Sequence, residues 1–120
     1  MYQVTFSDQS AQIFQKLPQE RQLQLAEALS RLTPEVLAAG LEPIGTFKRA
    51  DITIYRCRVE DYRFYFTLTS ATDENADTIH CLFILNKNSW ADFRMRNNLE
   101  KLSDAEVESK PDFLKLLEGV

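Results

Sequence analysis

Hydrophobic and polar positions change period along the chain. Tyr2, Val4 and Phe6 alternate with Gln3 and Thr5, which predicts a short strand. Ser7 or Asp8 then caps a helix carrying Ile13, Phe14 and Leu17. The pattern breaks at "LPQE", where Pro18 suits an early helical position. It resumes with Leu23, Leu25, Ala26, Leu29 and Leu32 at the spacing of an amphipathic helix. A last turn starts at Thr33-Pro34 and stops at Gly40, so this region reads as a helical hairpin.

From Ile44 onward β-branched and aromatic residues dominate, and "ITIYRCRV", "YRFYFTLT" and "TIHCLFIL" are three candidate strands. Glu60-Asp61 joins the first two and the polar loop "SATDENAD" the last two, as in an antiparallel meander. After Leu85 the period is helical again, with Asn88 or Ser89 as cap and Trp90, Phe93, Met95 and Leu99 along the segment. An acidic tail follows, with Asp104, Glu106, Glu108, Asp112 and Glu118 against Lys110 and Lys115, and Pro111 opens an amphipathic turn of Phe113, Leu114, Leu116 and Leu117. The expected fold is α+β: an N-terminal strand, a helical hairpin, a three-stranded antiparallel meander and C-terminal helices. Residues 1–101 form the domain and 102–120 an acidic helical tail.

Strand parity gives this pattern its chemistry. With Glu60 and Asp61 in the turn, Val59 faces Tyr62, Arg58 faces Arg63, Cys57 faces Phe64 and Arg56 faces Tyr65. One face then carries Tyr55, Cys57, Val59, Tyr62, Phe64 and Phe66 as a core for the helices, and the other carries Arg56, Arg58, Arg63 and Tyr65. Like charges directly opposite one another cost about 0.2–1 kcal/mol. An acidic neighbour (Glu60, Asp61 or the tail) would offset that, and so would an anion gripped by guanidinium forks. A solvated charged face is the alternative.

Composition narrows the readings. A chain of 120 residues, 44% hydrophobic, supports one core. A net charge of -4 means that any attraction for nucleic acid is local. Such a local concentration exists: of 14 Lys and Arg, nine (Lys48, Arg49, Arg56, Arg58, Arg63, Lys87, Arg94, Arg96 and Lys101) fall in two segments. Cys57 and Cys81 lie in apolar runs, as buried thiols in a reducing compartment do. His80 has no catalytic partner by spacing and Cys81 gives no paired metal-ligand pattern, so no metal or cofactor is expected. No apolar window approaches the roughly 18 residues of a membrane span, and the expected location is the cytoplasm with no membrane partner.

Together, "VTFSDQSAQIFQKLP", the helical hairpin, "FKRADITIYRCRVEDYRFYF" and a last strand ending in "ILNKNSW" resemble the RelE/ParE superfamily of bacterial toxins over about residues 1–97. The most specific part is Tyr55-Arg56-Cys57-Arg58 followed by Tyr62-Arg63-Phe64. The resemblance implies a helical hairpin packed on an antiparallel sheet. For RelE-like members it also implies a ribosome-dependent mRNA endoribonuclease, partnered by mRNA, the ribosome and an antitoxin protein. Carried over by position, Arg56, Arg58, Arg63 and Lys87 would be the catalytic set. Lys48, Arg49, Tyr65, Trp90 and Arg94 would contact RNA, with Trp90 able to stack a base.

The chain departs from that family where active nucleases place a further Arg and a Tyr or His. The corresponding stretch reads "NKNSWADFRM". Arginine stays protonated and does not serve as a general base. Three readings follow: an mRNA interferase, a non-catalytic module of the same fold binding RNA, the ribosome or an acidic protein through its arginine face, and a ParE-like inhibitor of DNA gyrase. The acidic tail adds a separate expectation, that its carboxylates lie over the arginine face.

Overall fold

Side-chain caps set most helix starts in the computed structural model, which describes residues 3–41, 44–69 and 78–118. Strand β1 (Gln3–Phe6) runs into α1 (Asp8–Lys16), whose first turn is capped by Ser7 Oγ accepting from the Ser10 amide at 3.2 Å. Helix α2 (Gln19–Ser30) has Pro18 at its N-cap without a side-chain cap. Helix α3 (Pro34–Ala39) is capped by Thr33 and ends at Gly40, whose φ of 61° is the left-handed conformation that suits a residue without Cβ.

The sheet contains β2 (Ile44–Arg49), β3 (Ile52–Val59), β4 (Tyr62–Thr69) and β5 (Thr78–Asn86) in addition to β1. Its order is β1-β5-β4-β3-β2, with β1 parallel to β5 and the other pairs antiparallel. The meander is as expected, and β2 is an addition to it. Gly45 and the basic pair Lys48-Arg49 interrupt the alternation there, yet the segment pairs with β3 from Ile44 opposite Cys57 to Arg49 opposite Ile52.

The β3–β4 register matches the parity argument pair for pair, from Val59 opposite Tyr62 to Arg56 opposite Tyr65. Glu60 makes the tight turn possible by adopting a φ of 54°. Tyr2 and the "SATDENAD" loop lie outside the described residues.

After β5 the chain enters α4 (Lys87–Arg96) directly. Asn86 is the cap, its Oδ1 accepting from the Ser89 amide at 2.8 Å, so the helix starts earlier than a cap at Asn88 or Ser89 would allow. Two short helices follow, α5 (Asp104–Glu108) and α6 (Pro111–Glu118).

The sheet is covered on both faces. On one, Cys57, Phe64, Phe66, Ile79 and Cys81 pack with Leu25, Leu29, Leu32 and Leu37 of the helical segments. On the other, Ile54, Tyr65, Phe83 and Leu85 pack with Trp90, Val107, Phe113 and Leu117. The acidic tail therefore supplies part of a second core: Val107 and Phe113 are both 0% exposed. Fully burying one such side chain stabilises by about 1.5–3 kcal/mol.

Cys57 and Cys81 are buried free thiols, which burial pushes up to about 11 and about 12 respectively. His80 is half-buried, with Nδ1 2.8 Å from Thr5 Oγ1 across the parallel β1–β5 pair. Among the described residues no helix is long and apolar enough to cross a membrane.

Candidate functional site

The arginine face lies beside the second core, on the same side of the sheet. Alternation along β3 and β4 puts Arg56, Arg58, Arg63 and Tyr65 on the side that the C-terminal helices cover. Arg56 and Arg63 are 4% and 8% exposed, and Tyr65 is 0% exposed. Burial of guanidinium groups is costly unless they are paired, and helix α5 provides the pairing.

Ser103 caps α5 through a reciprocal box in which its side chain accepts from the Glu106 amide while Glu106 accepts from the Ser103 amide. That fixed start points Asp104 and Glu108, four residues apart and thus on one helix face, at the sheet. A single oxygen, Asp104 Oδ2, accepts from Arg63 Nη2 at 2.9 Å, Arg56 Nη1 at 3.2 Å and Arg58 Nη1 at 3.5 Å. Glu108 Oε2 accepts from the Tyr65 hydroxyl at 2.9 Å and lies 3.4 Å from Arg56 Nε.

The two carboxylates titrate in opposite directions. Burial raises Asp104, but the hydrogen bond and charge of Arg63 and the charges of Arg56 and Arg58 outweigh it, and the net direction is down. Glu108 is raised, because burial outweighs the pull of Arg56, of the Tyr65 hydrogen bond and of Arg63. Burial, followed by the neighbouring Glu108 charge, pushes the Tyr65 phenol up, which holds its proton in place.

Two further features shape the cluster. Gly45 lies opposite Arg56 across β2 and β3, and a Cβ on it would stand 2.8 Å from Arg56 Cζ, so the absence of a side chain makes room for the guanidinium. Arg63 Cζ sits 3.9 Å above the Trp90 ring, a cation–π contact. Beside this, Phe113 packs edge-on against Phe47, Tyr65, Trp90 and Phe93 at centroid distances of 6.1, 5.2, 5.7 and 5.7 Å.

Of the residues singled out in the sequence, Arg56, Arg58, Arg63, Tyr65 and Trp90 converge here. Lys87 does not join them. It opens α4 and lines a separate polar pocket with Asp61, Tyr62, Asn86 and Asn88. Lys48 is exposed on β2, while Arg49 borders a groove with Ile52, Ile54, Leu68 and Leu82. Arg94 holds the link to α5, its Nη2 donating to the carbonyls of Glu100 and Leu102.

Sequence reasoning named the tail carboxylates as a group. It missed which two of them reach the arginines, and it missed the contributions of Gly45 and Phe47. The four-residue spacing of Asp104 and Glu108 was the available signal. Among the described residues there is no cluster of His, Cys, Asp and Glu suited to a metal ion.

No protein-family model and no curated protein matches the chain. Among solved structures it is similar to the archaeal RelE of the RelE–RelB complex from Pyrococcus horikoshii OT3, with a TM-score of 0.54 and 21% identity, over 72% of this chain and 94% of that one. The chain has a RelE-like fold, and part of it has no counterpart in that structure.

Proposed function

We propose that this protein is a divergent RelE-like toxin relative whose arginine cluster binds an anionic chain, RNA backbone first, without cutting it. The observation that supports this most strongly is the convergence of Arg56, Arg58 and Arg63 on one oxygen, Asp104 Oδ2, at 2.9 to 3.5 Å. A phosphate oxygen meets the same forked donors in the same way. The three arginines outnumber the two carboxylates that pair with them, in a chain whose net charge is -4.

Cleavage through the 2′-hydroxyl needs a group that takes a proton. The arginines stay protonated. The carboxylates of Asp104 and Glu108 are engaged by Arg56, Arg58, Arg63 and Tyr65, and His80 is tied to Thr5 on β1. These observations favour the non-catalytic reading over an mRNA interferase. An antitoxin-like acidic protein is the second partner class, supported by the RelB bound to the solved RelE.

The test is induction of the full chain in bacteria together with binding of a labelled single-stranded RNA. Growth should continue and mRNA on ribosomes should stay intact. RNA binding should be weak, should fall with salt, and should fall further in Arg58→Glu. Ribosome-dependent cuts that disappear in Arg63→Ala would replace this reading by the nuclease one.

A further inference from the structure

We infer that the C-terminal segment from Ser103 to Leu117 is a cover that competes in cis for the arginine site, so that RNA binds only as the segment leaves. The inference rests on the reading that the site takes RNA phosphate. It adds the way in which the site is closed and opened.

The segment divides its work. Helix α5 carries the charges, Asp104 and Glu108, and these occupy the guanidinium groups that a phosphate chain would need. Helix α6 carries the anchor, with Phe113 0% and Leu117 8% exposed. The charged half meets solvent on one side: the side chains of Asp104 and Arg58 are 24% and 39% exposed. An incoming anion can therefore reach Arg58 before the cover has moved.

The carboxylates also leave a donor unused. Arg63 Nη1 is buried with no acceptor among the described residues. A buried guanidinium N–H without an acceptor is unfavourable, and an oxygen of an entering phosphodiester could take it up.

A closed site weakens apparent affinity by the fraction of molecules that are open. Neutralising the cover while keeping its shape should raise that fraction. The experiment compares the unmodified chain with Asp104→Asn/Glu108→Gln, using a fluorescent single-stranded RNA titrated at several salt concentrations. It also follows hydrogen exchange of residues 104–117 in the unmodified chain with and without saturating RNA.

The variant should bind at least about 10-fold more tightly, with a steeper salt dependence because more phosphates are neutralised. RNA should accelerate exchange across α5 and α6 of the unmodified chain. This second measurement stands even where the variant fails to fold. Equal affinity of the folded variant and the unmodified chain overturns the cover and leaves the RNA reading standing. RNA binding with unchanged exchange in 104–117 does the same. No RNA binding by either chain overturns both.

Discussion

Arg58 and Arg63 stand directly opposite one another across β3 and β4, and both donate to the same oxygen of Asp104, at 3.5 and 2.9 Å. Two facing cations that would repel are converted into a joint binding site for one carboxylate. That carboxylate comes from a helix more than forty residues away in sequence. It should matter to the whole fold: Asp104→Asn leaves the buried Arg56 and Arg63 without their shared counter-charge and should cost about 3 kcal/mol. Urea denaturation of wild type and variant measures this, and equal stability would mean that the pairing contributes nothing.

The pH dependence follows from the same carboxylate. Burial raises its folded value, but Arg63, Arg56 and Arg58 together outweigh burial and bring it below the ordinary 3.8. Its stabilisation is therefore complete above 3.8 and is lost as pH falls through the lower folded value. Glu108 works the other way, since burial raises it from 4.5, and protonating it as pH falls towards 4.5 favours the folded state. Denaturation midpoints should thus fall in wild type below pH 3.8, and Asp104→Asn should lack that part of the fall. Glu108→Gln should remove the gain on the approach to pH 4.5.

Phe113 tests whether the C-terminal segment is part of the core. It is 0% exposed among the rings of Phe47, Tyr65, Trp90 and Phe93. Phe113→Ala should cost about 3–5 kcal/mol, and Phe113→Leu considerably less. A midpoint unchanged in Phe113→Ala would show that α6 does not hold the segment down.

Gly45 offers a test from the opposite edge. A methyl group there would stand 2.8 Å from Arg56 Cζ, and Arg56 would have to give up its place beside Asp104 and Glu108 to relieve the contact. Gly45→Ala should destabilise by about 1–3 kcal/mol. In an Arg56→Met background the penalty should shrink. An equal penalty in both backgrounds would point to the β2 backbone instead.

Much of this was legible in the chain. The Glu60-Asp61 turn and the period of two set the register of β3 and β4 and put Arg56, Arg58 and Arg63 on one face, as found. Thr33-Pro34 and Gly40 marked α3. The losses came where meaning depends on distant neighbours. Gly45 and Lys48-Arg49 hide β2 because they break the alternation, and the reason for Gly45 is a guanidinium on the next strand. Asn86 ends a strand and caps a helix at once, so periodicity alone placed the start of α4 too late. The tail showed its carboxylates in sequence, but the insertion of Phe113 among four rings is a matter of packing that no local pattern carries.

The most direct measurement of whether the tail holds the arginine face is a double-mutant cycle between Arg63 and Asp104, using Arg63→Met, Asp104→Asn and the double variant under urea denaturation. The two side chains are 2.9 Å apart, with the Arg63 side chain 10% exposed. A coupling energy of about 2–3 kcal/mol is expected, within the range for residues sharing one buried network. Additive effects, with a coupling energy near zero, would contradict the account.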